Sequence, residues 1–450
     1  MQAGKRKYNW IRSLSPFQLI ALFYLIAVTI ATILLSLPVA YERGVEIPFI
    51  DTLFVAVSAV SVTGLTPVSI PDTFSTTGYF LIALMLQFGG IGIMTLGTIV
   101  WIILGKKIGL KERQLIMTDQ NQSNFQGIVR LVLQIVLLVL LIEFIGFLVL
   151  GTYFLQYYAP GEAYLQGFFG AVSAMTNGGF DITGASLIPF QDDYFVQFIN
   201  MMLIISGAIG FPVLIEVKQY LFESGERTRF SLFVKLTSIT FLALVVFGVV
   251  MIILLEFNHF FEGRSWHEIL FYALFQSVTT RSGGLSTMDV SQFTEQTQLF
   301  MSSLMFIGAS PSSVGGGIRT TTFALVVIFI LTFARGTTNI RIFRREVHHE
   351  DLNRAVVVTL MAVLTVFTSV LLVSIVEPFS LTEILFEVCS AFGTVGLSLG
   401  ITSELTTFTK LLLMGLMFVG RIGILTFLFS FKKEKKKGNY HYPKERVIIG

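Results

Sequence analysis

Four short segments of the sequence repeat one arrangement of small and hydroxyl residues. They read Ser58-Ala-Val-Ser-Val-Thr-Gly64-Leu, Ser173-Ala-Met-Thr-Asn-Gly-Gly179-Phe, Ser277-Val-Thr-Thr-Arg-Ser-Gly-Gly284-Leu and Ser390-Ala-Phe-Gly-Thr-Val-Gly396-Leu. Backbone carbonyls can replace the hydration shell of a cation where side chains are small and the dihedrals are ones that ordinary residues resist. Gly64, Gly179, Gly284 and Gly396 meet that requirement. Their neighbours Val62 and Thr63, Asn177 and Gly178, Ser282 and Gly283, and Thr394 and Val395 carry no charge. Neutral oxygens without a ring of Asp or Glu suit a partly dehydrated K⁺, bound at the four glycines, rather than a divalent ion. The competing reading is that the glycines only allow helices to pack closely.

The segments recur at about 105 to 115 residues, and a second mark follows each after 24 to 28 residues. The second marks are Gly89-Gly-Ile-Gly92, Gly207-Ala-Ile-Gly210, Gly308-Ala-Ser-Pro311 and Gly420-Arg-Ile-Gly423. Two marks in fixed phase indicate one unit written four times. The third unit is one residue longer between Ser277 and Gly284, which leaves its local register open. Its second mark opens a run that a helix tolerates poorly: Gly308, Ala309, Ser310, Pro311, Ser312, Ser313, Val314, Gly315, Gly316 and Gly317. Apolar residues on both sides place that break inside a bilayer, where unpaired backbone must face a cavity. A kinked helix is the plainer alternative. Arg421 stands alone in an apolar stretch, where the other units have Gly90, Ala208 and Ala309. It either sits on a conduction axis as a barrier to cations or pairs with a buried carboxylate such as Glu143 or Glu216. Arg319, the weaker case, reads as a side chain that snorkels to the inner interface.

The elements that position these residues follow from composition. Of 450 residues, 54% are hydrophobic and only 13% charged, and the mean hydropathy is +0.77, the profile of a chain that faces lipid. Apolar stretches of bilayer-spanning length cover 17–37, 78–104, 128–150, 195–217, 232–255, 355–376 and 411–431. Shorter apolar segments, 52–62, 164–176, 268–280 and 382–392, cannot cross and are expected to enter and return as half-membrane helices, each ending near a filter glycine. Basic clusters at Lys5, Arg6, Lys7 and Arg12, at Lys106, Lys107, Lys111 and Arg113, at Lys218, Arg227, Arg229 and Lys235, at Arg335, Arg341, Arg344, Arg345 and Arg354, and across 432–437 alternate with acidic stretches. By the positive-inside rule both termini are cytoplasmic and the spans are even in number. The expected fold is all-α, with eight transmembrane spans and pseudo-fourfold symmetry around one pore. Its repeats are 1–104, 105–222, 223–334 and 335–431, with a cytoplasmic tail at 432–450.

The fourfold glycine pattern, Gly396 in Gly-Thr-Val-Gly-Leu-Ser and the Gly420-Arg-Ile-Gly423 segment resemble the Trk/Ktr/HKT superfamily of K⁺ transporters, in particular a bacterial Ktr membrane subunit, over nearly the whole chain. The resemblance implies that the four glycines form a selectivity filter and that glycine rather than serine at Gly64 goes with K⁺ preference. It implies that 308–317 is an intramembrane gating loop and Arg421 the pore arginine. It also implies a homodimer in the bacterial plasma membrane, seated on a cytoplasmic octameric ring of RCK-type nucleotide-binding regulatory subunits. K⁺ is the expected substrate, with Na⁺ as a stimulating ion and no covalent cofactor. A Na⁺-selective or non-selective transporter of the same build is the nearest rival.

Other chemistry is poorly supported. The single cysteine, Cys389, excludes an intrachain disulfide and a CxxC site. The five histidines have no metal-binding spacing, and no dinucleotide motif, phosphate loop or HExxH is present, so any nucleotide control must come from a partner. A membrane-embedded hydrolase using serines of 308–317 lacks a base in a matching segment; nucleic acid is not an expected partner. Arg281 either shapes the outer mouth or ties down its short helix. Asp181 and Asp289 either concentrate cations at the entrance or are solvated loop acids.

Overall fold

The computed structural model describes residues 14–92, 95–97, 102, 108–119, 127–222, 230–337, 340–430, 443 and 445. Lys5, Arg6, Lys7, Arg12, Lys106, Lys107, Arg227, Arg229 and all but two residues of the 432–450 tail lie outside the described residues.

The order long helix, short helix, loop, second helix occurs four times. It begins with α1 (Pro16–Leu35), α2 (Phe49–Ser61) and α3 (Thr76–Ile91). After α4 (Leu110–Asp119) come α5 (Ile128–Phe154), α6 (Pro160–Met175), α7 (Tyr194–Ala208) and α8 (Phe211–Phe222). The third group is α9 (Leu232–Glu256), α10 (Trp266–Thr279), α11 (Glu295–Phe306) and α12 (Thr320–Ala334). A short antiparallel hairpin, β1 (Arg341–Ile342) with β2 (Arg345–Glu346), leads to α13 (His349–Val376), α14 (Leu381–Gly393), α15 (Thr407–Ile422) and α16 (Ile424–Ser430).

By length and composition α1, α5, α9 and α13, with 20 to 28 residues, are the helices among the described residues that cross a membrane unbroken. Their outward faces carry exposed Leu25, Ile33, Leu137, Leu242, Val246 and Leu364, which only lipid solvates without penalty. Helix starts are written locally: Ser15 with Gln18, Ser265 with Glu268 and Ser380 with Glu383 form capping boxes.

The short helices α2, α6, α10 and α14 start within four residues of the segments expected from sequence and end within one residue of them. The second spans differ from expectation. The apolar stretch 195–217 is two helices, α7 and α8, bent by 106°, and 411–431 is α15 and α16, bent by 101°. Likewise α3 stops at Ile91. The cause is the second glycine mark: Gly92, Gly210 and Gly423 take φ of 101°, 102° and 83°, outside any helix.

The four groups close on one another in cyclic order, since each second-span helix packs on the short helix of the next group: α3 on α6, α7 on α10, α11 on α14, and α15 on α2. Polar contacts reinforce these seams. Lys410 of α15 pairs with Asp51 of α2 at 2.7 Å, both under 9% exposed, joining the last group to the first. Gln87 of α3 donates to Glu143 of α5 at 2.5 Å. Tyr194 at the start of α7 lies 2.6 Å from His267 Nδ1 on α10. Within a group, the C-terminal end of the long helix holds the start of the second. Glu256 accepts from the backbone N–H and hydroxyl of Thr294, the N-cap of α11, and Glu377 accepts the same pair from Thr406, the N-cap of α15, at 2.7 to 2.9 Å.

Candidate functional site

The short helices end where four irregular, strand-like segments begin, and these strands meet. A methyl added to Gly64 would stand 2.7 Å from the Gly178 carbonyl and 3.0 Å from Gly179 Cα. One added to Gly179 would stand 2.9 Å from Gly284 Cα, and one on Gly284 would run into the Val395 carbonyl. One on Gly396 would meet the Thr63 carbonyl and lie 3.0 Å from Gly64 Cα. The order 64, 179, 284, 396 and back to 64 therefore forms a ring of backbone, in which a side chain at any of the four glycines has no room.

The backbone of each strand is alike. All four glycines have positive φ, between 66° and 97°, and so do the residues two positions before them, Val62, Asn177, Ser282 and Thr394, at 48° to 85°. For β-branched Val62 and Thr394 this conformation is strained and persists only because the surroundings enforce it. Two left-handed residues separated by one that is not set this backbone apart from a β-strand, whose carbonyls point to alternating sides. This strain two residues ahead of each glycine has no signature in residue type, which is why sequence reasoning did not isolate it.

Hydroxyls behind the strands anchor them. Ser58 Oγ accepts from the Gly64 N–H and Ser390 Oγ from the Gly396 N–H, both at 3.1 Å, while Ser173 donates to the Phe180 carbonyl at 2.6 Å. In the third group the register read from sequence needs correction. Thr279, not Ser277, takes this place and donates to the Leu285 carbonyl at 2.5 Å, while Ser277 turns away to the Val245 carbonyl of α9. Counted from Thr279, the segment to Gly284 is one residue shorter than in the other groups, and the Gly283 N–H accordingly returns to the Thr279 carbonyl four residues back. The other strands return five residues back, as from Thr63 to Ser58.

Residues 308–317 form non-helical chain between α11 and α12. The loop lies against the ends of the strands that adjoin the short helices: a methyl on Gly315 would sit 2.5 Å from Ser282 Oγ, and one on Gly316 2.6 Å from Thr394 Oγ1. Gly308 is equally confined, by the Gly316 carbonyl, and the Ala309 N–H donates to that carbonyl at 3.2 Å. Toward the second group, Ser310 N–H donates to the Ala208 carbonyl at 3.0 Å, Val314 N–H to the Gly207 carbonyl at 3.1 Å, and Phe211 N–H to the Ser312 carbonyl at 2.8 Å. The Pro311 carbonyl faces Gly210, and Ser313 donates to Ser310. With Gly317 at φ 73° completing the turn, the loop uses the helix break in the second span of group two as its seat.

Arg421, in the last turn of α15, reaches across this space. It donates to the carbonyls of Val314, Gly89 and Gly90, the last at 3.0 Å. The latter two belong to the final turn of α3, and a guanidinium at a helix C-terminus is favoured by the dipole. The carboxylates considered as alternatives are engaged elsewhere: Glu143 with Gln87, and Glu216 with the Ser231 N–H. Arg319 does not extend to an interface; it donates to the Gly315 carbonyl and, at 3.5 Å, to that of Ser310. Two guanidiniums thus grip the loop by its backbone.

Arg281 is fully buried and donates to the Leu304 carbonyl of α11, which makes it a tie behind the third strand rather than part of an outer mouth. Asp181 accepts from the backbone N–H groups of Thr183, Gly184 and Ser186, and Asp289 from that of Ser291, so both acids organise turns. Among the described residues no group of three His, Cys, Asp or Glu side chains is placed to hold a metal ion.

Comparison with known proteins agrees with this geometry. The chain is 62% identical over 441 residues to the Ktr system potassium uptake protein D of Bacillus subtilis, covering 98% of each chain. It is 31% identical to the potassium/sodium uptake protein NtpJ of Enterococcus hirae, again over 98% of each. The crystal structure of the potassium transporter TrkH from Vibrio parahaemolyticus superposes with a TM-score of 0.74 at 18% identity, over 93% of this chain and 86% of that one. The TrkH family, described as cation transport protein, matches residues 5–442. An all-helical membrane fold, a ring of backbone where four loops meet and a match over almost the whole length agree: the chain belongs to the TrkH family of cation transport proteins, which are transporters and not enzymes.

Proposed function

We propose that this chain takes up K⁺ through one channel-like pore with pseudo-fourfold symmetry, built from eight spans and four re-entrant helices. The selectivity filter is formed by Val62, Thr63 and Gly64, by Asn177, Gly178 and Gly179, by Ser282, Gly283 and Gly284, and by Thr394, Val395 and Gly396. The observation that carries this reading is the closed ring of positive-φ glycines, each excluding a methyl group from its neighbours' backbone. Uncharged flanking residues favour K⁺ over a divalent ion, and the relative at 62% identity bears the name of a potassium uptake protein.

The loop at 308–317, held by Arg319 and Arg421, is the gate. Flux is downhill: one charge gains about 2.3 kcal/mol per 100 mV of membrane potential, which suffices for inward accumulation. The chain acts as a homodimer in the bacterial plasma membrane with both termini cytoplasmic. A cytoplasmic octameric ring of nucleotide-binding regulatory subunits sets the state of the loop. A K⁺ and Na⁺ transporter is the second reading, favoured by the resemblance to NtpJ.

Uptake of K⁺ and Na⁺ into proteoliposomes separates the two, with Gly64→Ser beside the parent. Preference for K⁺ in the parent, eroded by Gly64→Ser, supports the filter. Equal uptake of both ions favours the second reading, and unchanged selectivity in folded Gly64→Ser protein removes the filter assignment.

A further inference from the structure

The four strands are not braced equally. In the third group Gln276, on α10, donates to Ser286 Oγ at 2.8 Å. In the fourth, Glu387, on α14, accepts from Ser398 Oγ and, at 3.0 Å, from Thr402 Oγ1. These are matching positions. Each brace lies three residues before its strand's anchoring hydroxyl, Thr279 or Ser390, and each serine lies two residues past its filter glycine. Both side chains are at most 2% exposed, and each keeps a buried oxygen, Gln276 Oε1 or Glu387 Oε2, with no partner among the described residues. Burying such groups without full satisfaction is unfavourable unless the contact they make is needed.

The other two groups have Val55 and Gly170 at the matching positions, and neither side chain can reach across. Thr66 and Asp181, two residues past Gly64 and Gly179, bond instead to their own following turns. The braced strands are neighbours in the ring and are the two against which Gly315 and Gly316 of the loop rest. They are also joined to each other, Ser282 Oγ donating to the Thr394 carbonyl at 2.6 Å.

We propose that Gln276 and Glu387 are positioning residues for ion selection: through Ser286 and Ser398 they hold the carbonyls of the third and fourth strands in register while the loop moves beneath them. The inference rests on the filter reading given above. A neutral amide does this work in one strand and a carboxyl in the other, so hydrogen bonding and not charge is what the position requires.

The test is the K⁺/Na⁺ uptake ratio of the full chain in proteoliposomes, with folding checked by size-exclusion elution and thermal melting. Glu387→Ala and Gln276→Leu are expected to lower the ratio about tenfold, the effect of one lost buried hydrogen bond on an equilibrium, while Glu387→Gln stays near the parental value. Ser398→Ala should match Glu387→Ala, and the two together should be no worse than either alone. Should Glu387→Ala not fold, Gln276→Leu carries the same comparison. The inference is overturned if folded Gln276→Leu and Glu387→Ala keep the parental ratio, or if Glu387→Gln loses as much as Glu387→Ala. Gly396→Ala separates this failure from that of the filter reading. A ratio that collapses in Gly396→Ala but not in the brace variants removes only the braces, and one unchanged in all of them removes the filter assignment itself.

Discussion

The Arg421 guanidinium donates to the Val314 carbonyl, joining the last turn of α15 to the middle of a loop 107 residues earlier in the chain. The same side chain holds Gly89 and Gly90 at the end of α3. Hydrogen bonds to charged groups contribute about 1.5 to 3 kcal/mol each, and about 1.4 kcal/mol is a factor of ten in an equilibrium. Arg421→Ala is therefore expected to raise K⁺ influx into proteoliposomes by about tenfold or more. Arg421→Lys should fall between, since an ammonium lacks the planar fork that serves separate carbonyls. Influx equal to the parent in Arg421→Ala would mean that the loop is held shut without it.

Gly315 and Gly316 leave no space between the loop and the ends of two strands at Ser282 and Thr394. Gly316→Ala would place a methyl 2.6 Å from Thr394 Oγ1 and 3.0 Å from the Gly420 carbonyl, so the loop must shift. The expected result is a K⁺ leak without regulatory stimulus, read as influx by the membrane subunit alone. A variant that stays tight and otherwise normal would place the barrier elsewhere.

Gly179→Ala tests crowding in the ring. Its methyl would lie 2.9 Å from Gly284 Cα, against backbone that cannot swing away. Gly336 shares the positive φ, at 76°, but has nothing within 4 Å of an added methyl, so Gly336→Ala controls for strain alone. Transport should be lost or lose its preference for K⁺ in the first and persist in the second. Equal effects would assign the loss to backbone strain.

Lys410 and Asp51 form a buried pair between α15 and α2. Removing one partner of such a pair typically destabilises by about 3 to 5 kcal/mol, because a buried charge is left uncompensated. Lys410→Met is expected to lower the melting temperature in detergent more than Lys410→Met combined with Asp51→Leu does. If the double variant melts no higher than the single, the pair contributes through packing rather than charge.

The four short helices were legible because hydropathy, glycine and period coincide: 52–62 against Phe49–Ser61 and 382–392 against Leu381–Gly393 differ only at their ends. The break in the third second span was legible because it is long and full of Gly, Ser and Pro. The breaks at Gly210 and Gly423 were not, since a single glycine leaves a hydropathy window apolar even where the chain bends by about 100°. Thr279 was missed because Ser277 offered the same hydroxyl two residues earlier, and the spacing from the true anchor to Gly284 differs from that of the other groups. The Lys410 to Asp51 contact lies 359 residues apart in sequence, so no local pattern announces it. The partners of Arg319 are carbonyls of its own loop, and carbonyl acceptors carry no residue signature at all.

The carbonyl partners of Arg421 bear on what happens when it leaves. Gly89, Gly90 and Val314 offer it the same kind of ligand that the filter offers to a permeating ion. With the loop as the gate, opening is an exchange of one cation for another at shared oxygens, in which a tethered charge departs and a mobile one takes its site. On the proposed reading, an ion arriving from either side would compete with the guanidinium, and the opening equilibrium would shift with the concentration of the cargo itself.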